Sequence, residues 1–192
     1  MLICGEPELR RKSKKVRRID DETIRLLDDL VETMVAGDGI GLAAPQVGEN
    51  VRVIALGEIV ATDEDEASDM VIHQLINPRI VEAEGEVEGM EGCLSLPTLH
   101  GIVLRSQRVV VEGIDGDGED VAIELEGWSA RAAAHEIDHL NGKLFIDRVE
   151  PDSLAWMIPD EDEEQGYRMK DCSVDEAIAA FQRLIEKLKA ES

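Results

Sequence analysis

No apolar run in this 192-residue chain approaches the roughly 18 residues of a membrane-crossing helix, so a membrane span is excluded. The first residues carry Glu6, Glu8, Arg10 and Arg11, with no apolar stretch before a small-residue cleavage site, a pattern unlike a signal peptide. Cysteine is scarce: Cys4, Cys93 and Cys172 make no even disulfide framework and suit a reducing compartment. These absences together predict a cytoplasmic protein. Cations are also few, 20 Lys and Arg against 43 Asp and Glu, which argues against specific nucleic-acid binding, since that needs clustered positive charge. The one basic run, Arg10-Arg11-Lys12 with Lys14, Lys15, Arg17 and Arg18, precedes an acidic helix and reads as a solvated cap.

The net charge of −23 is extreme for this length. It is concentrated in Asp63-Glu64-Asp65-Glu66, with Glu58 and Asp69 nearby, and in Asp160-Glu161-Asp162-Glu163-Glu164. At low salt such a surface repels itself, while molar salt shortens the Debye length to about 3 Å and removes most of the penalty. The predicted setting is a saline, halophilic cytoplasm, against the plainer alternative of an acidic enzyme with two solvated loops.

Only four histidines occur, and two of them frame His135-Glu136-Ile137-Asp138-His139. On a helix, residues four apart share a face, so both imidazoles can reach one metal ion, with Glu136 beside a metal-bound water whose proton it can move. The alternative is a half-buried helix with two ordinary histidines. A catalytic site of this kind needs a third protein ligand and an open position. His73, His100, the cysteines and many carboxylates are available. Cys93 stands out within Glu91-Gly92-Cys93-Leu94-Ser95-Leu96-Pro97, where Gly92 permits close backbone approach and Pro97 is expected to end the extended segment. An inert core thiol is the competing reading of Cys93.

These two segments and Gly39-Ile40-Gly41-Leu42-Ala43-Ala44-Pro45-Gln46 complete, in order, the patterns G-x-G-x-A-A-x-Q, E-G-C-x-S and H-E-x-D-H, and in this the chain resembles the peptide deformylases. The likeness runs from about residue 3 to 149, through Arg10, Gln74-Leu75-Ile76-Asn77-Pro78 and Asn141-Gly142-Lys143-Leu144-Phe145. It implies Cys93, His135 and His139 as ligands of one divalent ion, Fe(II) first, with Zn(II), Ni(II) or Co(II) as alternatives. It further implies Glu136 as catalytic acid/base, and Gln46 and the Leu94 backbone N–H as donors to the formyl oxygen. Gly41 and Leu42 then form the edge of the substrate cleft, and Arg105 becomes a structural partner of Glu91. Ala134, where many members have glutamine, and His100, where some have arginine, depart from the pattern and bear on substrate preference and local stability.

The implied activity is hydrolytic removal of the formyl group from N-formyl-methionyl ends of nascent polypeptides, with a transient ribosome contact as a further expectation. Two rivals stand beside it: an amide hydrolase acting on a small formylated or acylated substrate, and a non-enzymatic metal-binding protein of the same fold. Intact Glu136 and Gln46 speak against the second, because a closed structural site needs no general base.

Periodicity predicts one α+β domain over 1–192, with antiparallel or mixed sheets around a central metal-binding helix. A helix is expected over Asp20 to Val35, ended by Gly37 and Gly39. Strands are expected at Val51 to Leu56, Val71 to Ile76, Ile80 to Glu88, Ile102 to Leu104, Gln107 to Ile114 and Val121 to Leu125, the last two joined by a turn at Asp115-Gly116-Asp117-Gly118. Gly89 is expected to begin the cysteine loop, Ser129 to cap the metal helix and Asn141-Gly142 to break it. An amphipathic C-terminal helix spans about 173–190, opened by a capping box of Ser173 and Glu176.

Overall fold

A computed structural model describes residues 1–61 and 68–191, so the acidic run at Asp63 to Glu66 lies outside the described residues. The chain is α+β. Helix α1 (Asp21–Ala36) starts where the Asp20 carboxylate accepts from the Thr23 N–H and buries Leu27, Leu30 and Met34 along one face. Strand β1 (Gly41–Ala43) follows, and then β2 (Val53–Ala61) and β3 (Ser68–Glu84). Strands β4 (Val87–Cys93) and β5 (Leu96–Arg105) form a hairpin, as do β6 (Arg108–Ile114) and β7 (Asp120–Glu126). Helix α2 (Gly127–Leu140) comes next, then β8 (Ala155–Pro159), β9 (Tyr167–Asp171) and α3 (Val174–Glu191).

Two antiparallel sheets result, one ordered β1-β2-β3-β6-β7 and the other β4-β5-β8-β9. Helix α2 lies between them. Its Ala130, Ala133, Ile137 and Leu140 pack with Ile54, Leu56, Leu75, Val109 and Val111 of the first sheet. The second sheet buries Leu96, Leu99 and Val103 with Phe145 and with Ala177 and Phe181 of α3. The Ser173–Glu176 box is present, Glu176 Oε2 accepting from the Ser173 N–H at 2.8 Å.

Several expected boundaries are corrected. Val71 to Ile76 and Ile80 to Glu84 belong to one strand, β3, which continues through Asn77-Pro78 by means of bulges. Asn77 takes φ 55°, a conformation its short polar side chain tolerates, and that side chain bonds both the Val16 N–H and carbonyl at 2.9 Å. Gly89 does not begin a loop but lies within β4, and Cys93 ends that strand. Pro97 does not stop the extended segment. It sits in β5 where the register jumps from Cys93 opposite Leu96 to Gly92 opposite His100, so its missing N–H leaves no ladder bond unmade. Ser129 is not the N-cap of α2; the cap is Glu126, and the Ser129 hydroxyl accepts from the Ile59 N–H at 3.1 Å. Strands β8 and β9 add to the elements that periodicity predicts. The acidic run Asp160 to Glu164 forms the exposed turn between them.

Candidate active site

The site forms where α2 passes the tip of the β4–β5 hairpin. His135 and His139 occupy successive turns of one helix face, their ring centroids 5.0 Å apart. Cys93 closes a two-residue turn, Leu94-Ser95, that presents its Sγ to them. Ligand atoms of Cys93, His135 and His139 all lie within 4.8 Å of one another, and Cys93 Sγ is 3.3 Å from His139 Nε2. His73 and His100 are elsewhere. His73 pairs with Glu58 at 2.8 Å, and His100 places its Nδ1 3.3 Å from the Thr98 carbonyl at the rim of the cleft.

The donor chemistry fits a divalent ion: one thiolate and two imidazoles are the set that zinc-like and iron-like ions accept. Two buried polar atoms, Glu136 Oε2 and His139 Nδ1, have no protein partner. Burial and the nearby His135 and Arg105 charges push His139 well below its ordinary pKa, while hydrogen bonds to Cys93 and Glu91 push His135 above its own against the burial. Burial pushes the Glu136 carboxyl up to about 7, against the pull of His135. A carboxyl in that range can both take and give a proton near neutrality.

Gln46 is buried at the end of a 3₁₀ turn, Ala44–Val47. Its Oε1 accepts from the Ala43 N–H at 2.8 Å, which turns Nε2 toward Cys93 Sγ at 3.5 Å and Ser95 Oγ at 3.3 Å. Leu94 lines the cleft and lays its side chain over the end of α1. A Cβ at Gly37 or Gly39 would meet Leu94 Cδ1 at 3.0 or 3.2 Å. Gly41 also lines the cleft, at the free edge of β1, whereas the Leu42 side chain is fully buried against α1. The cleft has a volume of about 470 Å³, and its walls include Ile40, Met90, Trp128 and Ala132.

Behind the histidines stands a buried ionic network. Glu91 Oε1 accepts from Arg105 Nε at 2.8 Å and from Arg131 Nη1 at 2.9 Å. Its Oε2 accepts from Arg105 Nη2 at 3.0 Å and from His135 Nδ1 at 2.9 Å. Asp138 accepts from Arg105 Nη1 at 2.5 Å and from Arg148 Nε at 2.6 Å. Burial alone would raise the Glu91 carboxyl, but the His135 and Arg105 hydrogen bonds outweigh it and hold it at about 2. Asp138 is lowered in the same way by Arg148 and Arg105. Sequence reasoning found Glu91 and Arg105 but missed Arg131, Asp138, Arg148 and Ser95. A signal existed for two of them: Arg131 lies four residues before His135 and Asp138 three after it, so both share the buried ligand face.

A family profile described as Polypeptide deformylase matches residues 1–154. The peptide deformylase of Thermomicrobium roseum is 45% identical over 161 residues, 83% of this chain and 90% of that protein. A crystal structure of a probable peptide deformylase from Synechococcus phage S-SSM7 is 42% identical with a TM-score of 0.68, covering 77% of this chain and 97% of that one. A class I type b peptide deformylase from Acinetobacter baumannii, solved with Met-Ala-Ser bound, is 33% identical with a TM-score of 0.70, over 77% of this chain and 96% of that one.

Proposed function

The chain belongs to the polypeptide deformylase family, metal-dependent hydrolases that remove the formyl group from N-formyl-methionyl ends of nascent polypeptides, and we propose that residues of α2, the β4–β5 turn and the Gln46 segment carry that reaction here. One observation carries this assignment: a thiolate and two imidazoles converge within 4.8 Å beside a buried carboxylate that has an unpartnered oxygen. Cys93, His135 and His139 would hold one divalent ion, Fe(II) first, with Zn(II), Ni(II) or Co(II) also suited to the donor set. When bound, such an ion activates water and polarises a carbonyl.

The chain's own residues do the rest. Glu136 takes the proton from the attacking water and returns it to the departing amine, which releases formate and a free N-terminus. Gln46 Nε2, aimed by the Ala43–Oε1 hydrogen bond, donates to the formyl oxygen together with the Leu94 N–H in this reading, and the Gln46 donor is held before charge develops. Gly41, at the unpaired edge of β1, offers backbone to an extended peptide. The Acinetobacter baumannii relative binds a peptide that begins with methionine, and the largely apolar cleft here suits the same kind of end.

The charge of −23 and the exposed run at Glu161 to Glu164 support a halophilic host. Among the described residues no helix is long and apolar enough to cross a membrane. We place the enzyme in the cytoplasm, with transient contact to the ribosome, because its substrate is a new chain.

Formate release from a formyl-Met peptide, measured anaerobically in high salt, tests the assignment. Glu136→Gln should retain about one divalent ion per chain and the fold, yet lose roughly 10²-fold to 10⁴-fold in turnover. Cys93→Ala should lose the ion. Near-normal turnover in the first variant, or full occupancy in the second, would overturn the assigned roles.

A further inference from the structure

Arg131 lies on α2 one turn before His135 and is only 5% exposed. Its Nη1 donates to Glu91 Oε1 at 2.9 Å, to the Val103 carbonyl at 2.8 Å and to the Gly89 carbonyl at 3.3 Å, and its Nη2 donates to the Val87 carbonyl at 2.7 Å. Burying a guanidinium carries a large desolvation cost, so packing alone would be better served by an apolar side chain of similar volume.

The guanidinium has a built seat. A Cβ on Gly89 would fall 2.7 Å from Nη2, 2.8 Å from Cζ and 2.9 Å from Nε of Arg131. The end of an arginine is ordinarily free to swing away from such a clash. Here four hydrogen bonds hold it, so glycine at 89 and arginine at 131 depend on each other.

Glu91, two residues beyond Gly89 on β4, grips His135 Nδ1 with its other oxygen. The terminal torsion of a glutamate is broad and roughly two-fold, so a carboxylate keeps its aim only if donors hold it. Arg105 supplies one fork but divides itself between Glu91 and Asp138. Arg131 ties the carboxylate to the helix that carries His135. We propose that Arg131, seated on Gly89, is a positioning residue for His135: by fixing Glu91 Oε1 it aims Oε2 at the Nδ1–H and leaves Nε2 for the ion. The proposal rests on the reading of His135 as a ligand.

Co(II) is the probe, added to the full-length protein without oxygen in high salt. The readouts are its visible spectrum and its rate of transfer to excess EDTA, with far-UV circular dichroism reporting the fold. Arg131→Met should shift the Co(II) bands and speed release about tenfold to a hundredfold, the usual cost of losing a group that orients a ligand. Gly89→Ala should act in the same direction while keeping the arginine, and should add little in the Arg131→Met background. Wild-type release and spectrum in folded Arg131→Met, or an equal effect of Gly89→Ala in both backgrounds, would overturn the proposal. If Arg131→Met does not fold, Gly89→Ala alone decides, and wild-type release from it is the contrary result. His135→Ala tests the ligand reading separately. An unchanged Co(II) spectrum there removes that reading and the proposal together, while loss of Co(II) there with unaltered Arg131→Met and Gly89→Ala removes only the proposal.

Discussion

Close approach, more than side-chain chemistry, explains the glycine at position 41. A Cβ there would fall 2.5 Å from Glu136 Oε1 and 2.8 Å from its Cγ, so even alanine must displace the carboxylate. Displacement of a catalytic group by about 1 Å is enough to cost roughly 100-fold in rate. Gly41→Ala should therefore keep its ion and its fold while turnover of a formyl-Met peptide drops on that order. A fully metallated Gly41→Ala enzyme with wild-type turnover would show that Glu136 is not confined by β1. At this scale the pairing of His135 with His139 was legible, because four-residue spacing on a helix places two imidazoles together whatever surrounds them. Cys93 was only one candidate among several by spacing. What singled it out was the resemblance, and the geometric reason is the Leu94-Ser95 turn that swings its thiol onto α2.

At the scale of elements, the β4–β5 hairpin and α2 are joined through Glu91 and Asp138. Both carboxylates are held below their ordinary pKa, so their stabilisation is fully present above the unfolded value and is lost as pH falls through the folded one. For Glu91 that window runs from about 4.5 down to about 2. Glu91→Gln mimics the protonated state, so the stability gap between wild type and variant, both metal-free, should be widest above pH 5. It should be of order 3 kcal/mol there and close as pH drops from about 4 to 2. Thermal melts of the two proteins across that range make the test, and a gap that does not vary with pH would remove Glu91 from the network's energetics. Arg131 was missed because an arginine in an alanine-rich helix reads as solvent-facing, and only the neighbouring strand shows that its face is covered. The β8–β9 hairpin was missed for a related reason. Its apolar stretch Leu154 to Ile158 is short and runs into acids, and it becomes a strand by pairing with the edge of β5 at Leu99 and His100, with Trp156 against Phe181.

Over the whole molecule, charge is the dominant feature. Glu161 to Glu164 are exposed, and the counter-charge is gathered far along the chain at Lys12, Lys14, Lys15, Arg17 and Arg18, also exposed. Repulsion among 43 acidic side chains opposes compaction until salt screens it. Folding and activity should need salt near or above about 1 M, with losses on dialysis to low salt. The melting temperature should rise between about 0.1 M and 2 M salt. An unchanged value across that range would leave an ordinary acidic enzyme with solvated loops.

Sequence by itself determined what depends on short-range geometry and on sums. The helical faces of α1, α2 and α3, the β6–β7 turn, the His135–His139 pair with its adjacent Glu136, and the charge all follow from spacing or composition, which do not require knowing what packs against what. Tertiary structure alone decided everything set by a neighbour distant along the chain. It ran β3 through Asn77-Pro78, where the Val16 backbone satisfies the asparagine. It absorbed Pro97 into a bulge, put Ser129 inside α2 with its hydroxyl on the Ile59 N–H, and paired His73 with Glu58. It also seated Arg131 on Gly89, 42 residues away, because a buried cation must find its acceptors wherever the fold brings them.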